Sequence, residues 1–159
     1  MIFTYSPFNK PIIIVFIHSN RCSTSVIQIY RSNYETMNGE SIGYGVIAKY
    51  PIKANTKICE FKGKKMSVKK SKNYKFRVYL SKDCVLCCDD YALCEPSQCI
   101  ASMINTANGL VCPYSGCILS SEDNNCRLSI VDSRAFIYSI RKIHKNEELF
   151  FPYNFKMIN

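Results

Sequence analysis

A chain of 159 residues, of which 47% are hydrophobic and 21% charged, is long enough to bury the core of a single domain. This composition excludes an intrinsically disordered chain, and the absence of a repeat among the glycines and prolines excludes a repeat protein. The net charge of +9 favours anionic partners, such as nucleic acid or an acidic protein surface.

The first residues contain an apolar run, PIIIVFI at residues 11–17. A bilayer needs about 20 apolar residues, so this run is too short to span a membrane, and we expect no membrane partner. Because Lys10 precedes the run and small residues follow it, a signal peptide stays an alternative. We interpret residues 1–23 as an N-terminal extension or a first strand that packs on the domain.

The next segments are typical of strands. Residues 25–31, SVIQIYR, are rich in β-forming residues, a second strand is predicted from Val46, and a third over Ile58 to Phe61 after a turn. The sequence GYG at residues 43–45 precedes the second of these strands. Glycine lets a backbone approach a ligand closely, although GYG before a strand is also common in hairpin turns.

A basic run extends from Lys62 to Arg77. Such a run can neutralise the phosphates of nucleic acid, or it can be a solvated loop without a partner. Residues 75–80 and 85–89 then predict two strands on either side of a Ser-Lys-Asp turn.

Several of the ten cysteines cluster at Cys84, Cys87 and Cys88, followed by Cys94 and Cys99. A zinc site is typically built from two C-x-x-C pairs, and this spacing supplies only half of that pattern. We therefore predict small buried side chains and no metal site, with disulfides disfavoured if the protein is intracellular. The alternative is a zinc-stabilised basic nucleic-acid-binding domain that uses Cys84, Cys87, Cys94 and Cys99 together with the lysine run.

In the second half, Asn105 follows an apolar stretch and needs a specific partner if it is buried. Residues 109–124 are predicted to form a loop, and a hairpin is predicted around Asp132 to Arg134. The strand-like AFIYSI at residues 135–140, a polar turn and the aromatic run LFFPY at residues 149–153 follow.

Three of these fragments occur in an order that resembles the SET-domain family of protein lysine methyltransferases. They are IGYGVIAKYPIKANTKICEFKG, ASMIN and NEELFFPYNF, within a resemblance that extends from Thr24 to Phe155. The resemblance implies a mainly β fold, a SET-like β-clip of several short sheets with a C-terminal pseudoknot and little helix. It implies a catalytic domain over residues 24–155 and a tail at residues 156–159 without the zinc-binding segment found in many family members.

The resemblance also implies an activity, the transfer of methyl groups from S-adenosylmethionine to protein lysine, in histones or other proteins, in the nucleus or the cytoplasm. Tyr153 matches the tyrosine whose hydroxyl lies by the reacting methyl and amine, although it can also be read as an ordinary core aromatic. Phe151 matches the position that helps to decide how many methyl groups fit, and a phenylalanine there resembles enzymes that reach di- or trimethylation. The residues implied to bind the cofactor are Gly43, Tyr44, Gly45, Asn105, Thr106 and Phe155. From the order of the motifs we predict that Gly43 to Gly45, Asn105 and Tyr153 converge on one pocket.

The chain departs from the family pattern at several positions. Thr106 replaces the expected histidine, Asn146 a glycine and Pro152 an aspartate, and Asn125-Cys126 resembles the end of the Asn motif displaced by an insertion. A catalytically inactive SET-like binding module is therefore the second hypothesis.

We expect residues 109–124 to wall the lysine channel. The positive net charge suits a basic histone tail only if acidic residues cluster around the peptide groove.

Overall fold

The computed structural model describes residues 26–74, 76–88 and 99–153. The predictions for residues 1–23, Cys94, Phe155 and the tail at 156–159 therefore lie outside the described residues.

Short strands dominate the described chain, and the only helices in these ranges are two 3-10 turns, at Ile100–Met103 and Ser121–Asp123. The expectation of a mainly β fold with little helix is confirmed. The ten strands are β1 (Ile27–Arg31), β2 (Glu35–Thr36), β3 (Tyr44–Ala48), β4 (Lys57–Phe61), β5 (Lys64–Ser67), β6 (Phe76–Tyr79), β7 (Cys84–Cys88), β8 (Leu110–Val111), β9 (Cys126–Val131) and β10 (Arg134–Ser139).

The strands form four small antiparallel sheets, with the orders β1-β3, β4-β10-β9, β2-β8 and β5-β7-β6. β9 and β10 form the predicted hairpin, in which Arg134 pairs with Val131. Asp132 and Ser133 between them both have positive φ, 51° and 56°. Two successive residues with positive φ give a turn whose twist matches that of the strands it connects.

One apolar core lies where these sheets meet. It contains side chains from β1, β3, β4 and β10 together with Ile143 and Leu149. A smaller cluster of Ala107, Leu110 and Phe150 packs beside it, and Tyr34 contacts Phe150 edge to face with ring centroids 5.2 Å apart. The two clusters meet at residues 149–151, so this segment is held by packing on both sides.

Residues 147–151, the threaded segment, are hydrogen-bonded to three separate parts of the chain. The segment bonds to β3 through Leu149 N to Val46 O at 2.8 Å, and to Asn105 O through Phe151 N at 2.9 Å. The amide of Cys126 donates to Phe150 O at 2.9 Å. The segment therefore passes between chain segments that precede it, which is the C-terminal pseudoknot of the implied fold.

Two predictions about strands need correction. The basic run is not only a loop, because Lys64–Ser67 form β5, an edge strand paired with β7. Three of its four side chains are exposed, so the strand has no apolar pattern in the sequence. β3 begins at Tyr44 and not at Val46, because the antiparallel pairing with β1 extends through the GYG sequence.

Candidate functional site

The position of Asn105 is set by its backbone. The first 3-10 helix ends at Met103, Ile104 is fully buried, and the backbone of Asn105 pairs in parallel with Phe150. This pairing directs the Asn105 side chain towards β3, where Nδ2 donates to Tyr44 O at 3.0 Å and to Glu148 Oε1 at 3.3 Å. Asn105 thus has the specific partners that its apolar surroundings require.

Glu148 lies at the centre of the site and is only 4% exposed. Besides Asn105, its carboxylate accepts hydrogen bonds from the Tyr30 hydroxyl and, at 2.8 Å, from Ser32 Oγ. Burial raises the pKa of Glu148, while the three donors oppose that rise by stabilising the anion. In the sequence Glu148 is one residue of the NEELFFPYNF motif, and nothing there predicts its burial or these partners.

Gly45 is explained by this carboxylate. A Cβ at Gly45 would lie 2.0 Å from Glu148 Oε1 and 3.2 Å from Asn105 Nδ2. In the β1-β3 register Gly45 is paired with Tyr30, which explains why the Tyr30 hydroxyl reaches the same carboxylate. The close approach at Gly45 is therefore to a side chain of the protein, whereas the sequence interpretation expected an approach to a ligand.

Gly43 differs from Gly45. It has a φ of +81°, in the left-handed region that favours glycine, and no atom lies within 4 Å of the position where a Cβ would stand. Gly43 O accepts from Ser32 N at 2.8 Å, so the backbone is fixed while the side towards solvent is open.

Tyr153 is 49% exposed, so its interpretation as a core aromatic is wrong. Its hydroxyl donates to Ile104 O at 3.1 Å and lies 3.5 Å from Asn105 Oδ1. Phe151 is buried and its ring meets that of Tyr153 edge to face, with centroids 5.5 Å apart. The accessible hydroxyl of Tyr153 thus lies next to the Asn105 side chain.

These contacts bring the GYG sequence, Asn105 and Tyr153 together, although none of them lines the cavity described below. We call Tyr44, Gly45, Asn105, Glu148 and Tyr153 the Asn105 cluster. The roles assigned to Gly43, Tyr44, Gly45, Asn105 and Thr106 in cofactor binding, and to Tyr153 and Phe151 in catalysis, stay predictions.

Asn125 fixes the threaded segment beside the cluster. The Asn125 Nδ2 donates to Glu148 O at 2.7 Å and to Glu147 Oε1 at 3.0 Å, and Phe150 N donates to Asn125 Oδ1 at 2.9 Å. Burial alone would raise the pKa of Glu147. The pKa is instead lowered, because the His144 amide, the Asn125 amide and the Arg141 guanidinium stabilise the carboxylate.

A cavity of about 220 Å³ lies beside the Asn105 cluster. Glu147 and Glu148 contribute two carboxyl groups to it, and Pro113 and Tyr114 line it from the predicted 109–124 loop. That loop contains β8 and the second 3-10 helix, so it is more ordered than the sequence indicated. The other residues lining the cavity include Tyr30, Tyr34 and Asn146.

The zinc alternative finds no support in the described part of the chain. Within it, no group of three or more His, Cys, Asp or Glu side chains could hold a metal ion. Cys84 and Cys87 are three residues apart in β7, and strand residues at that spacing point to opposite faces. Cys99 is buried, its Sγ accepts from Lys62 N at 3.0 Å, and burial raises the pKa of its thiol. It packs as the small buried side chain that the sequence predicts.

Comparisons with known proteins agree with this geometry. A family model described as "SET domain" matches residues 43–154. Among 222 matching chains of solved structures is ATXR5, in a crystal structure with mono-methylated histone H3.1. The identity is 21% and the TM-score 0.54, over 81% of this chain and 60% of that chain, so the likeness concerns the fold. A comparison with curated proteins finds none that matches. No helix in the described ranges is both long and apolar enough to cross a membrane.

Proposed function

The chain belongs to the SET-domain family, and from this premise we propose that it transfers methyl groups from S-adenosylmethionine to the side-chain amine of a protein lysine. The observation that carries the proposal is the Asn105 cluster. In it, the exposed Tyr153 hydroxyl and the backbone of the GYG sequence are joined through one asparagine side chain.

The reaction needs an aligned donor and acceptor and an uncharged amine. S-adenosylmethionine supplies an electrophilic methyl group on a sulfonium. The amine of free lysine has a pKa near 10.4, so it must lose a proton before it can attack, and desolvation favours that loss. Holding the reacting groups in line accounts for a large part of the rate enhancement that such a site can give.

The hydrogen bond from Tyr153 supports its proposed catalytic role. Its proton is donated to Ile104 O at 3.1 Å, so the lone pairs of its oxygen point elsewhere. An approaching amine N–H can donate to that oxygen, which would fix the direction of the nitrogen lone pair. Phe151 packs against the same ring and would limit the space around the amine, and its lack of a hydroxyl is in keeping with di- or trimethylation.

The cofactor would lie on the open side of the GYG sequence. The space beside Gly43 is unfilled and the Tyr44 side chain is 41% exposed, so the backbone of this loop is accessible to a ligand. Asn105 Nδ2 is already bonded to Tyr44 O and Glu148, so Asn105 would act by fixing the loop. Thr106 follows it and would offer backbone groups.

The substrate proposal rests on charge. Of the two acidic residues that line the cavity beside the cluster, Glu147 is held anionic and lies where a basic peptide would benefit from its charge, while Glu148 is buried. The ATXR5 structure contains histone H3.1, and we propose a histone tail as the first substrate to test. A histone substrate would favour a nuclear over a cytoplasmic location.

The test combines titration calorimetry with S-adenosylmethionine and a methyl-transfer assay on a panel of histones and cell lysate. We expect cofactor binding and transfer of labelled methyl groups to lysine. Binding without transfer to any lysine would favour the inactive SET-like binding module, a reading in keeping with Thr106 and Pro152. No cofactor binding at all would reject the proposal.

A further inference from the structure

The positive charge of this protein is concentrated in one segment. Residues 62–82 contain nine of the 21 basic residues and none of the 12 acidic residues. The remainder of the chain carries twelve residues of each sign, so this segment accounts for the whole net charge of +9. A local field of this kind attracts anions far more strongly than the same charge spread over the surface.

The fold presents this segment as a sheet. β5 and β6 are the two edges of the sheet β5-β7-β6, which we call the lysine-rich sheet. Lys64 and Arg77 both pair with Cys87, so their side chains share one face of this sheet. Two strand spacings separate them by about 10 Å. The exposed cations of the segment are Lys64, Lys65, Lys69, Lys70, Lys72, Arg77 and Lys82.

Carboxylates do not neutralise this charge in the described ranges of the chain. The ion pairs found there are Arg134 with Glu60 and Arg141 with Glu147, and neither involves residues 62–82. Lys62 and Lys65 also line a cavity of about 310 Å³ together with Glu60, whose carboxylate is paired with Arg134. The cations are therefore available to an external partner.

Several features favour duplex DNA as that partner. In the described part of the segment Tyr79 is the one large apolar side chain that is exposed, and only 37% of its surface is accessible. Protein interfaces usually have an apolar or aromatic centre, and single strands are bound by stacking on several aromatic rings. Recognition of an RNA duplex draws on its 2′-hydroxyl groups, whereas non-specific binding of duplex DNA comes almost entirely from the charge of its phosphates.

We propose that the lysine-rich sheet docks on the phosphate backbone of double-stranded DNA. Lysine ammonium groups act as mobile point charges, so the binding is independent of base sequence and strongly dependent on salt. The surface is separate from the Asn105 cluster, and its function does not require methyl transfer.

The test measures the fluorescence anisotropy of a labelled mixed-sequence DNA duplex titrated with the full chain between about 50 and 200 mM salt. One variant carries Lys64→Gln and Arg77→Gln, the two cations that share one face of the sheet. The matched control carries Lys142→Gln and Lys145→Gln, which removes the same charge from exposed positions elsewhere. Circular dichroism melting checks that both variants fold.

We expect the first variant to lose at least about tenfold in affinity and to flatten the slope of log K against log salt by about 2. The control should bind DNA within about twofold of the parent protein, because its charges lie outside the contact. Equal losses in the two variants would overturn the proposal by showing that net charge alone acts. Tighter binding of duplex RNA or of a polyglutamate peptide than of DNA would overturn it in favour of those partners.

Discussion

The side chains of Asn105 and Glu148 are hydrogen-bonded, with Asn105 Nδ2 3.3 Å from Glu148 Oε1. Through this contact the threaded segment is connected to the GYG strand, whose Tyr44 carbonyl the same nitrogen also reaches. Glu148 in turn is fixed by the hydroxyls of Tyr30 and Ser32 on the β1 side. The acidic side chain therefore orients the Asn105 amide, and that amide lies beside the Tyr153 hydroxyl.

Removal of the Glu148 side chain should strongly destabilise the protein. In Glu148→Ala, the buried donors from Tyr30, Ser32 and Asn105 lose their acceptor, and we expect the free energy of unfolding to fall by about 3–5 kcal/mol. Glu148→Gln keeps the shape and one carbonyl, so its loss should be about 1 kcal/mol. Urea denaturation measures both. Equal losses of unfolding free energy in Glu148→Ala and Glu148→Gln would show that the charge of Glu148, and not its hydrogen bonding, stabilises the fold.

The buried carboxyl should also make stability depend on pH. Because burial raises the pKa of Glu148, the folded state favours its protonated form. Its contribution is greatest below the pKa of the unfolded chain and is lost as pH rises through the raised pKa. We expect the stability of Glu148→Gln relative to the parent to improve as pH rises above about 4, the pKa of an exposed glutamate.

When Glu148→Gln and the parent protein are compared at the same pH, the contributions of Glu60 and Glu147 to the pH dependence of stability cancel. The pKa of each is lowered, so they act in the opposite direction. Denaturation curves at several pH values provide the measurement, and a difference that does not change with pH would contradict the proposed protonation of Glu148.

A side chain at Gly45 should disrupt the cluster. In Gly45→Ala the new Cβ meets Glu148 Oε1 at 2.0 Å, and we expect a loss of at least about 3 kcal/mol. Gly43→Ala is the matched control, since it has free space and pays only the left-handed backbone cost of about 1–2 kcal/mol.

The clash can be tested by combining Gly45→Ala with Glu148→Ala, since removal of the carboxylate makes room for the methyl group. The two losses should then be less than additive by at least about 1 kcal/mol in thermal or urea unfolding. Strict additivity would place the obstacle at Gly45 somewhere other than Glu148.

Tyr153→Phe should abolish most methyl transfer and leave the fold intact. Tyr153 is half exposed and its hydroxyl donates to Ile104 O, so removal of that hydroxyl should cost about 1 kcal/mol of stability. If it orients the amine only in the reacting complex, turnover should fall by about 10²-fold or more. Cofactor affinity from calorimetry should change little. Unchanged turnover would remove Tyr153 from the proposed mechanism.

Much of the fold could be predicted because its strands carry ordinary apolar and β-branched signals. β4, β9 and β10 lie close to their predicted positions, since their buried residues alternate or cluster as core strands do. β5 was missed because both of its lysines and its serine are exposed, so the strand is specified by its pairing with β7 and not by its own sequence.

The site was predicted in outline but not in its chemistry. The order of the GYG sequence, Asn105 and Tyr153 along the chain indicated that they converge. Burial of Glu148 could not be predicted, because glutamate is seldom fully buried and its partners Tyr30 and Ser32 are more than 100 residues away in sequence. Because Gly45 and Glu148 are also distant in sequence, the sequence could not show that the glycine makes room for this carboxylate and not for a ligand.

The threaded segment also determines when the site can exist during folding. Its hydrogen bonds join residues 147–151 to Val46, Asn105 and Cys126, so each contact closes a loop of about 25 to 100 residues. Contacts this distant in sequence form late and make folding slow. Glu148 can meet Asn105 and Gly45 only after the earlier strands have assembled around an open passage. We therefore expect the Asn105 cluster to assemble in the last step of folding and to be absent from partly folded species.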